Sequence, residues 1–468
     1  MSDFEHKPNV LLIHSDQHRF DCVGVNRAVA PPGPGRLLNT PNLDRIAAGG
    51  VNFTRAFTPI ALCTPARASL ATGTWPSRHG SWVIPNTLGY RPADESLPTW
   101  FRLAADAGYA VSYVGKYHQE LVGTPADHGV TNYLPEEQYE AWRQGKNVAQ
   151  RPATNGFWGE TDPLPEGLGR LRWEADFAIR SLRESATAGR PFVVRWDPSE
   201  PHLPNVVPEP WASMFNPQDI PPWPSFPDDL VNKPTMQRRS RQRWGCDDWT
   251  WEQWQPIVAR YLGEIALIDH HVGRVLDALD EVGLSDNTLV IYTTDHGDFC
   301  GGHGMVDKHY CGYDDILRVP LLARWPGKLP AGETCDRYVY QELDIARTLA
   351  DLFAGDAPDT FCGRNLAKEA AGDDQARDCY FGQYSGTQQG RCDQRYLRTE
   401  RWKYVYCPVS GDELYDLAAD PGELTNVTDA PAHAEELLGL RQQMEKCLKE
   451  TGDQLTGPLW TWPARTKP

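Results

Sequence analysis

The chain has 468 residues, more than one hydrophobic core usually supports, so we expect one large domain and a smaller one. Hydrophobic residues make up 40% of it and charged residues 23%, as in ordinary globular proteins, and no apolar run is long enough to cross a bilayer. The net charge of −17 excludes nucleic acid as a general partner, because phosphate binding needs a basic surface, but a local basic pocket for a small anion is compatible with it.

The N-terminus and the cysteines bear on the cellular compartment. Residues 1–16 lack the charged, apolar and small-residue regions of a signal peptide. The eleven cysteines show neither paired nor C-x-x-C spacing, as expected for reduced thiols. We therefore expect a cytoplasmic protein without a membrane partner, and we leave open whether it forms a homo-oligomer.

Strand-like and helix-like segments alternate along most of the chain. The apolar run 9–16 predicts a buried parallel strand, and Thr40 and Pro41 predict the N-cap and first residue of a helix. Further strands are predicted at 192–196 and 287–298, and a long amphipathic helix at 257–283. This alternation predicts an α/β fold with a mostly parallel central sheet flanked by helices.

The pattern changes near residue 375. The segment RYLRTERWKYVYC alternates like an antiparallel strand, ELYDLAADPGELTNV predicts a strand and a turn, and HAEELLGLRQQMEKCLKE predicts an amphipathic helix. We therefore predict a catalytic domain over residues 1–370 and a smaller C-terminal α+β domain with an antiparallel sheet over residues 371–468.

Several polar residues directly follow the predicted strands. Ligands of open α/β sheets bind at the carboxyl ends of the strands, so these residues are predicted to converge on one site. They are Asp16, Lys116, His118, His202, Asp295 and His296.

Two of these strand ends carry pairs of oxygen and nitrogen ligands. Asp16 is followed by Gln17, and Asp295 by His296. Two carboxylates, an amide oxygen and an imidazole suit one divalent cation, and the oxygen majority favours Ca²⁺, with Mg²⁺ and Mn²⁺ as alternatives. Each pair taken alone is equally compatible with a polar strand end or a hydrogen-bonded loop histidine.

Basic residues accompany these ligands. Lysines and histidines that converge beside a metal form a cradle for a tetrahedral oxyanion. The candidates are Lys116, His118, His202 and Lys308. Such a cradle indicates sulfuryl or phosphoryl transfer, although Lys308 alone is equally compatible with a solvated surface lysine.

The segment CTPARASLATG begins at Cys63. A thiolate is a soft ligand, so Cys63 is poorly suited to a metal site made mainly of hard oxygen ligands. The segment resembles the C-x-P-x-R signature of the type I sulfatases, members of the alkaline-phosphatase-like superfamily. The segments NVLLIHSDQHRFD, TPNLDRIAAGGVNFTRAFT, TWPSRHG, GKYH, TTDHGDFCGGHGMVDK, RVPLLARWPGK and ELYDLAADPGELTNV extend the resemblance over nearly the whole chain.

The resemblance implies roles for the site residues. Cys63 corresponds to the cysteine that a formylglycine-generating enzyme oxidises to Cα-formylglycine, and Arg67 to the arginine that holds it. Asp16, Gln17, Asp295 and His296 correspond to the metal ligands, with modified Cys63 as a further contact. Lys116, His118, His202 and Lys308 correspond to the sulfate-binding and proton-transfer residues. Gln17 and His296 depart from the commonest pattern, which has an aspartate and an asparagine.

The implied activity is hydrolysis of a sulfate monoester, of a small molecule or a saccharide. The hydrated aldehyde has two hydroxyls, of which one attacks sulfur to form a covalent sulfo-enzyme intermediate. His202 is expected to assist departure of the alcohol, and His118 to deprotonate the second hydroxyl so that sulfate leaves. A serine at position 63 would instead remain as a stable ester.

Two other functions are open. A phosphonate monoester or phosphodiester hydrolase of the same superfamily has similar ligand pairs at Gln17 and His296 and a counterpart of Asn86, whereas the Lys116–His118 pair is typical of sulfatases. A non-catalytic binding protein would lack the nucleophile or the cradle, and neither is missing.

The segment 204–254 is rich in proline, tryptophan and arginine. Its residues Arg238, Arg239 and Trp249 are candidates for binding an anionic or ring-containing substrate. The alternative is that the tryptophans pack inside the protein and the arginines form a solvated surface.

Overall fold

A computed structural model describes residues 7–146, 148–149, 158–388 and 390–456. Its strands are β1 (Asn9–Ser15), β2 (Val51–Phe53), β3 (Ala56–Phe57), β4 (Ala110–Gly115), β5 (Asn132–Pro135), β6 (Glu160–Asp162), β7 (Phe192–Asp197), β8 (Val206–Pro208), β9 (Thr288–Thr294), β10 (Leu321–Arg324), β11 (Glu333–Cys335), β12 (Val339–Tyr340), β13 (Tyr380–Gly386), β14 (Cys392–Arg398), β15 (Trp402–Tyr406) and β16 (Glu413–Asp416). Its α-helices are α1 (Pro41–Ala48), α2 (Cys63–Thr72), α3 (Pro76–His79), α4 (Trp100–Asp106), α5 (Gln138–Gly145), α6 (Arg170–Ala188), α7 (Thr235–Trp244), α8 (Trp251–Glu281), α9 (Asp314–Leu317), α10 (Gln341–Ala354), α11 (Leu366–Ala371) and α12 (Ala434–Glu450).

Within the described ranges, eight strands form the main sheet in the order β11-β2-β10-β9-β1-β7-β4-β5. The five strands from β9 to β5 run parallel, and β10 runs antiparallel to both of its neighbours. In this register Ser15 lies opposite Thr294, and Gly115 lies opposite Asp197. The carboxyl ends of β1, β9, β4 and β7 therefore lie side by side, which confirms the predicted mostly parallel sheet.

Helices cover both faces of this sheet. Side chains of α1, α6 and α8 pack on one face, around Leu11 and Ile13 of β1. Side chains of α2, α4 and α10 pack on the other face, around Val10 and Leu12. Because both faces of β1 are covered, all seven of its residues are buried.

Two predicted elements differ from the observed ones. The long helix α8 begins at Trp251 rather than at residue 257, because Thr250 and Gln253 form a capping box at its start. The alternating segment RYLRTERWKYVYC is not one strand: it forms the end of β14, a turn at residues 399–401, and β15. Alternation continues through a tight hairpin, so the pattern alone does not reveal the turn.

The C-terminal part contains the predicted antiparallel sheet. Strands β13 to β16 follow one another in the order β13-β14-β15-β16, and α12 packs against them through Leu437, Leu440, Met444 and Leu448. The domain boundary after residue 370 stays a prediction, and residues 457–468 of the predicted C-terminal domain lie outside the described ranges.

The loop before α2 packs directly on the C-terminal sheet. Tyr380 donates a hydrogen bond from its hydroxyl to the carbonyl of Thr58 (2.6 Å), and the backbone N–H of Gln383 donates to the carbonyl of Pro59 (2.8 Å). Ile60 and Leu62 belong to the same buried apolar cluster as the tyrosines of β13 and β14. The main sheet and the C-terminal sheet thus share a core beneath the start of α2.

The described helices include none with the length and apolar character of a membrane span. All eleven cysteines lie in the described part of the chain, and each is a free thiol.

Candidate active site

Cys63 is the first residue of α2 and lies at the carboxyl edge of the main sheet. Its Sγ is 3.2 Å from Nε2 of His296 and 3.8 Å from Oδ1 of Asp16. Burial alone would raise the pKa of this thiol, but Lys116, Lys308 and His296 hold its pKa well below the usual range. The N-terminus of α2 acts in the same direction. The structure therefore places a thiolate-favouring environment around Cys63.

Arg67, one turn along α2, joins three strand ends. Its Nε donates to Asp295 (3.1 Å), and its terminal nitrogens donate to Asp16 (3.0 Å) and Asp197 (2.7 Å). Burial opposes the charge of Arg67, but the three carboxylates raise its pKa well above the usual value. Sequence reasoning missed Asp197, although its position at the end of β7 is the same signal that singled out Asp16.

Four possible metal ligands lie together. They are one atom each of Asp16, Cys63, Asp295 and His296, all buried and within 4.8 Å of one another. Arg67 donates to the Oδ2 atoms of both aspartates, and Nε2 of His296 lies 3.9 Å from Oδ1 of Asp16 and 3.6 Å from Oδ1 of Asp295. Nδ1 of His296 is 2.9 Å from the Gly297 carbonyl, which orients Nε2 toward the same group. This donor set and this outer contact fit a divalent cation.

The remaining predicted ligand, Gln17, has other partners. Its amide nitrogen donates to Asp298 (2.6 Å), and its amide oxygen accepts a hydrogen bond from Nζ of Lys308 (3.0 Å). Its backbone is left-handed (φ 68°) and donates to Oδ1 of Asp295. Burial raises the pKa of Asp298 to about 6. Gln17 thus lies at the predicted edge, and its role as a ligand stays a prediction.

The predicted basic residues converge around Cys63. Nζ of Lys116 donates to Oδ2 of Asp16 (2.7 Å), and Nζ of Lys308 is 2.7 Å from Nε2 of His202. His118 contributes to the lowered pKa of the Cys63 thiol, and its Nδ1 is buried without a hydrogen-bond partner in the described chain. These predicted basic residues are therefore neighbours in the structure, and their role as a cradle for an oxyanion stays a prediction.

The four candidate substrate-binding residues lie in different parts of the fold. Asn86 is exposed in the loop after α3, with a left-handed backbone (φ 62°). Arg238 and Arg239 are exposed on α7. Trp249 packs against Trp158 (ring centroids 4.6 Å apart) and Trp254 (4.8 Å). No described contact joins these four residues to Cys63, and their roles stay predictions.

Other residues of the segment 204–254 pack inside the protein. Trp254 is fully buried, and the indole N–H of Trp251 donates to the Ile220 carbonyl. Arg241 donates to the backbone carbonyls of His303 and Asp228. Trp251 and Trp254 therefore pack inside the protein, as the alternative interpretation of this segment predicts. Arg241, from the same segment, is held by hydrogen bonds to backbone carbonyls.

Comparison with known proteins agrees with this geometry. Residues 8–355 match the sequence model of the sulfatase family. The chain belongs to the sulfatase family. Residues 301–450 also match the C-terminal model of N-sulphoglucosamine sulphohydrolase, which spans the region of the antiparallel sheet.

Curated relatives and solved structures extend the match over the chain. It is 29% identical to an arylsulfatase of Clostridium perfringens, covering 95% of each chain, and 26% identical to an N-acetylglucosamine-6-O-sulfatase of Bacteroides thetaiotaomicron, covering 96% of this chain and 87% of the relative. A phosphonate monoester hydrolase structure from Agrobacterium radiobacter aligns with a TM-score of 0.80 at 27% identity, covering 95% of this chain and 96% of that one. The protein is an enzyme of the sulfatase class.

Proposed function

We propose that the protein hydrolyses sulfate monoesters through a formylglycine formed from Cys63. The observation that carries this proposal is the environment of Cys63. The start of α2 presents its side chain to His296 and Asp16, with Arg67 behind it and two lysines beside it. A side chain so placed can approach a sulfate group that the lysines hold by charge.

One divalent cation, with Ca²⁺ favoured and Mg²⁺ or Mn²⁺ as alternatives, would be held by Asp16, Asp295, His296 and the modified residue 63, with Gln17 as a fifth candidate. When bound, it supplies positive charge that lowers the pKa of a nearby hydroxyl and draws electron density from the sulfate group. Arg67 fixes the two aspartates in the orientation that this requires.

The residues of the chain then act in order. One hydroxyl of the hydrated aldehyde gives up its proton to solvent and attacks sulfur while Lys116 and Lys308 neutralise charge on the sulfate oxygens, and the S–O bond to the alcohol breaks. His202 supplies the proton that the departing alcohol takes up. His118, which contributes to the lowered pKa of Cys63, removes the proton of the second hydroxyl, so that the C–O bond to sulfate breaks and the aldehyde re-forms.

The proposed substrates are sulfate esters of saccharides or other small alcohols. The named activity of the Bacteroides relative on an N-acetylglucosamine sulfate supports the saccharide class. A formylglycine-generating enzyme as maturation partner and a cytoplasmic location both stay predictions from the sequence.

The test compares kcat/KM for one aryl leaving group carried as a sulfate monoester, a phosphonate monoester and a phosphate diester. The sample is one in which mass spectrometry detects the aldehyde in the Cys63 peptide. We expect the sulfate ester to be preferred. A preference for the phosphonate or the diester would contradict the proposal.

The second candidate is a phosphonate monoester or phosphodiester hydrolase. The combination of Gln17 with His296 and the likeness to the Agrobacterium hydrolase structure favour it. The Lys116–His118 pair, which resembles that of sulfatases, supports the first candidate instead. The same three-substrate comparison separates the two.

A further inference from the structure

His309 follows Lys308 and has a side chain that the proposed mechanism does not use. It is 9% exposed, and its Nε2 is 3.2 Å from Oδ2 of Asp307. Its other ring nitrogen, Nδ1, is buried and has no hydrogen-bond partner among the described residues. A buried, unpaired ring nitrogen is costly, so it calls for a partner that the described residues do not provide.

The backbone around His309 is strained. Asp307, His309 and Tyr310 all have left-handed conformations, with φ of 69°, 93° and 57°. Such conformations cost energy in residues other than glycine and concentrate at functional sites. The segment after β9 holds the loop in place, because the N–H of Asp307 donates to Asp298 (3.1 Å) and its carbonyl accepts from Phe299 (2.9 Å).

Asp307 connects His309 to the proposed active site. Its Oδ2 is 3.2 Å from Nε2 of His309, and its Oδ1 is 2.9 Å from Nζ of Lys308, which lies 2.7 Å from Nε2 of His202. The strained loop therefore brings two consecutive side chains to the site, of which only Lys308 has a proposed role. Nδ1 of His118 is the comparable unpaired ring nitrogen beside Cys63.

The tautomer of His309 determines which kind of group can form a hydrogen bond with Nδ1. Asp307 accepts the proton that Nε2 carries, and burial lowers the pKa of His309, so the ring is neutral at neutral pH. Nδ1 is then a hydrogen-bond acceptor. A sulfate oxygen is also an acceptor and cannot pair with it, whereas a hydroxyl group on the alcohol part of the ester can.

We propose that His309, oriented by Asp307, recognises the substrate through a hydrogen bond that Nδ1 accepts from a hydroxyl next to the sulfate ester. This inference rests on the proposed function and narrows its substrate class to esters of polyhydroxylated alcohols, such as saccharides. Asp307 is a positioning residue in this arrangement.

The test uses two aryl sulfates that differ by one hydroxyl: 4-nitrophenyl sulfate and 2-hydroxy-4-nitrophenyl sulfate. His309→Phe keeps a ring without the acceptor, and His309→Asn keeps a side chain that tolerates the left-handed backbone. We expect both variants to lose about tenfold in kcat/KM for the hydroxylated ester and to stay within about twofold for the other ester. Asp307→Asn should lower the same ratio between the two substrates. The control Tyr310→Phe, a neighbour in the same loop, should leave the ratio unchanged.

The opposite results are equally clear. An equal loss on both esters, or no loss on either, would overturn the recognition role while the proposed function stands. If the aldehyde-containing wild-type protein hydrolyses neither ester, the proposed function fails, and this inference fails with it.

Discussion

The position of Cys63 and the positive charges around it come from different parts of the sequence. Its position at the start of α2 comes from the local segment, whereas the cations around it come from the loops after β4 and β9. Under the proposed chemistry, residue 63 needs two hydroxyls on one carbon. A serine supplies one, so it can accept the sulfo group but cannot release it.

We therefore expect Cys63→Ser and Cys63→Ala to lose multiple turnover by roughly a thousandfold or more, since each removes the proposed nucleophile. The two variants should differ in one respect. After incubation with an aryl sulfate, intact mass spectrometry should detect one added sulfo group on the serine variant and none on the alanine variant. Sustained turnover by the alanine variant would contradict a nucleophile at this position.

Site residues were predictable from sequence where each follows a strand. Asp16, Lys116 and Asp295 lie at the same sheet edge, as the parallel strands require. The partners of each side chain were not predictable, because they depend on the register between strands. Gln17 is an example. Its partners Asp298 and Lys308 lie in loops far along the chain, so no local pattern connects them with Gln17.

The start of α1 illustrates the same limit for a whole element. Pro41 is its first residue, as predicted, but the Thr40 side chain makes no capping hydrogen bond. Asp269 of α8 takes that role instead, because its carboxylate accepts hydrogen bonds from the backbone N–H groups of Asn42 (3.0 Å) and Leu43 (2.8 Å). A cap supplied by another helix leaves no trace in the local sequence.

This cap predicts a pH dependence of stability. Burial raises the pKa of Asp269 to about 6 from an ordinary value of 3.8, so between these values the folded state binds the proton more tightly than the unfolded state. The contribution of Asp269 is therefore fully present below pH 3.8 and is lost as the pH rises through about 6. Asp269→Asn should flatten this part of the profile by up to about 3 kcal/mol. Urea unfolding of both proteins from pH 4 to 7 measures it, and parallel profiles would contradict the assignment.

Gly73 after α2 and Gly80 after α3 form a matched pair for measuring what an added side chain costs in stability. Gly73 and Gly80 each end a helix in the left-handed conformation, with φ of 67° and 77°. A Cβ on Gly73 would lie 2.1 Å from the Phe361 ring, whereas a Cβ on Gly80 would meet nothing within 4 Å. The two positions therefore share the backbone strain and differ in the steric clash.

We expect Gly80→Ala to lower the free energy of unfolding by about 1 kcal/mol, from the strain of a left-handed alanine alone. Gly73→Ala should lower it by a further 1–3 kcal/mol or so, because the buried ring must move. Urea unfolding gives both values. Equal losses of unfolding free energy in the two variants would mean that the Phe361 ring moves aside without an energetic cost.

At the scale of the molecule, the fold class was predictable because apolar runs alternate with amphipathic segments along the chain. The way in which the two sheets join was not. Tyr380 and Gln383 of β13 bond to the loop before α2, and no local pattern in either segment points to the other.

This shared core predicts that residues 1–370 do not fold by themselves into the native catalytic structure. Without the C-terminal sheet, the apolar cluster around Ile60 and Leu62 would be open to water. We expect the full chain to unfold in one calorimetric transition and the fragment to be degraded rapidly in limited proteolysis. Tyr380→Phe, which removes only the hydrogen bond to Thr58, should cost about 1 kcal/mol and keep the single transition. A fragment with its own cooperative transition at the same Tm would contradict this prediction.

The packing of the loop before α2 on β13 also sets an order of events during synthesis. Cys63 leaves the ribosome long before Tyr380 and Gln383 do, and the segment that leads into α2 lacks its final contacts until they arrive. An enzyme that oxidises the cysteine in an unfolded segment therefore has most of the translation time in which to act. Completion of the chain closes that interval, so the proposed modification would compete in time with folding for the same residue.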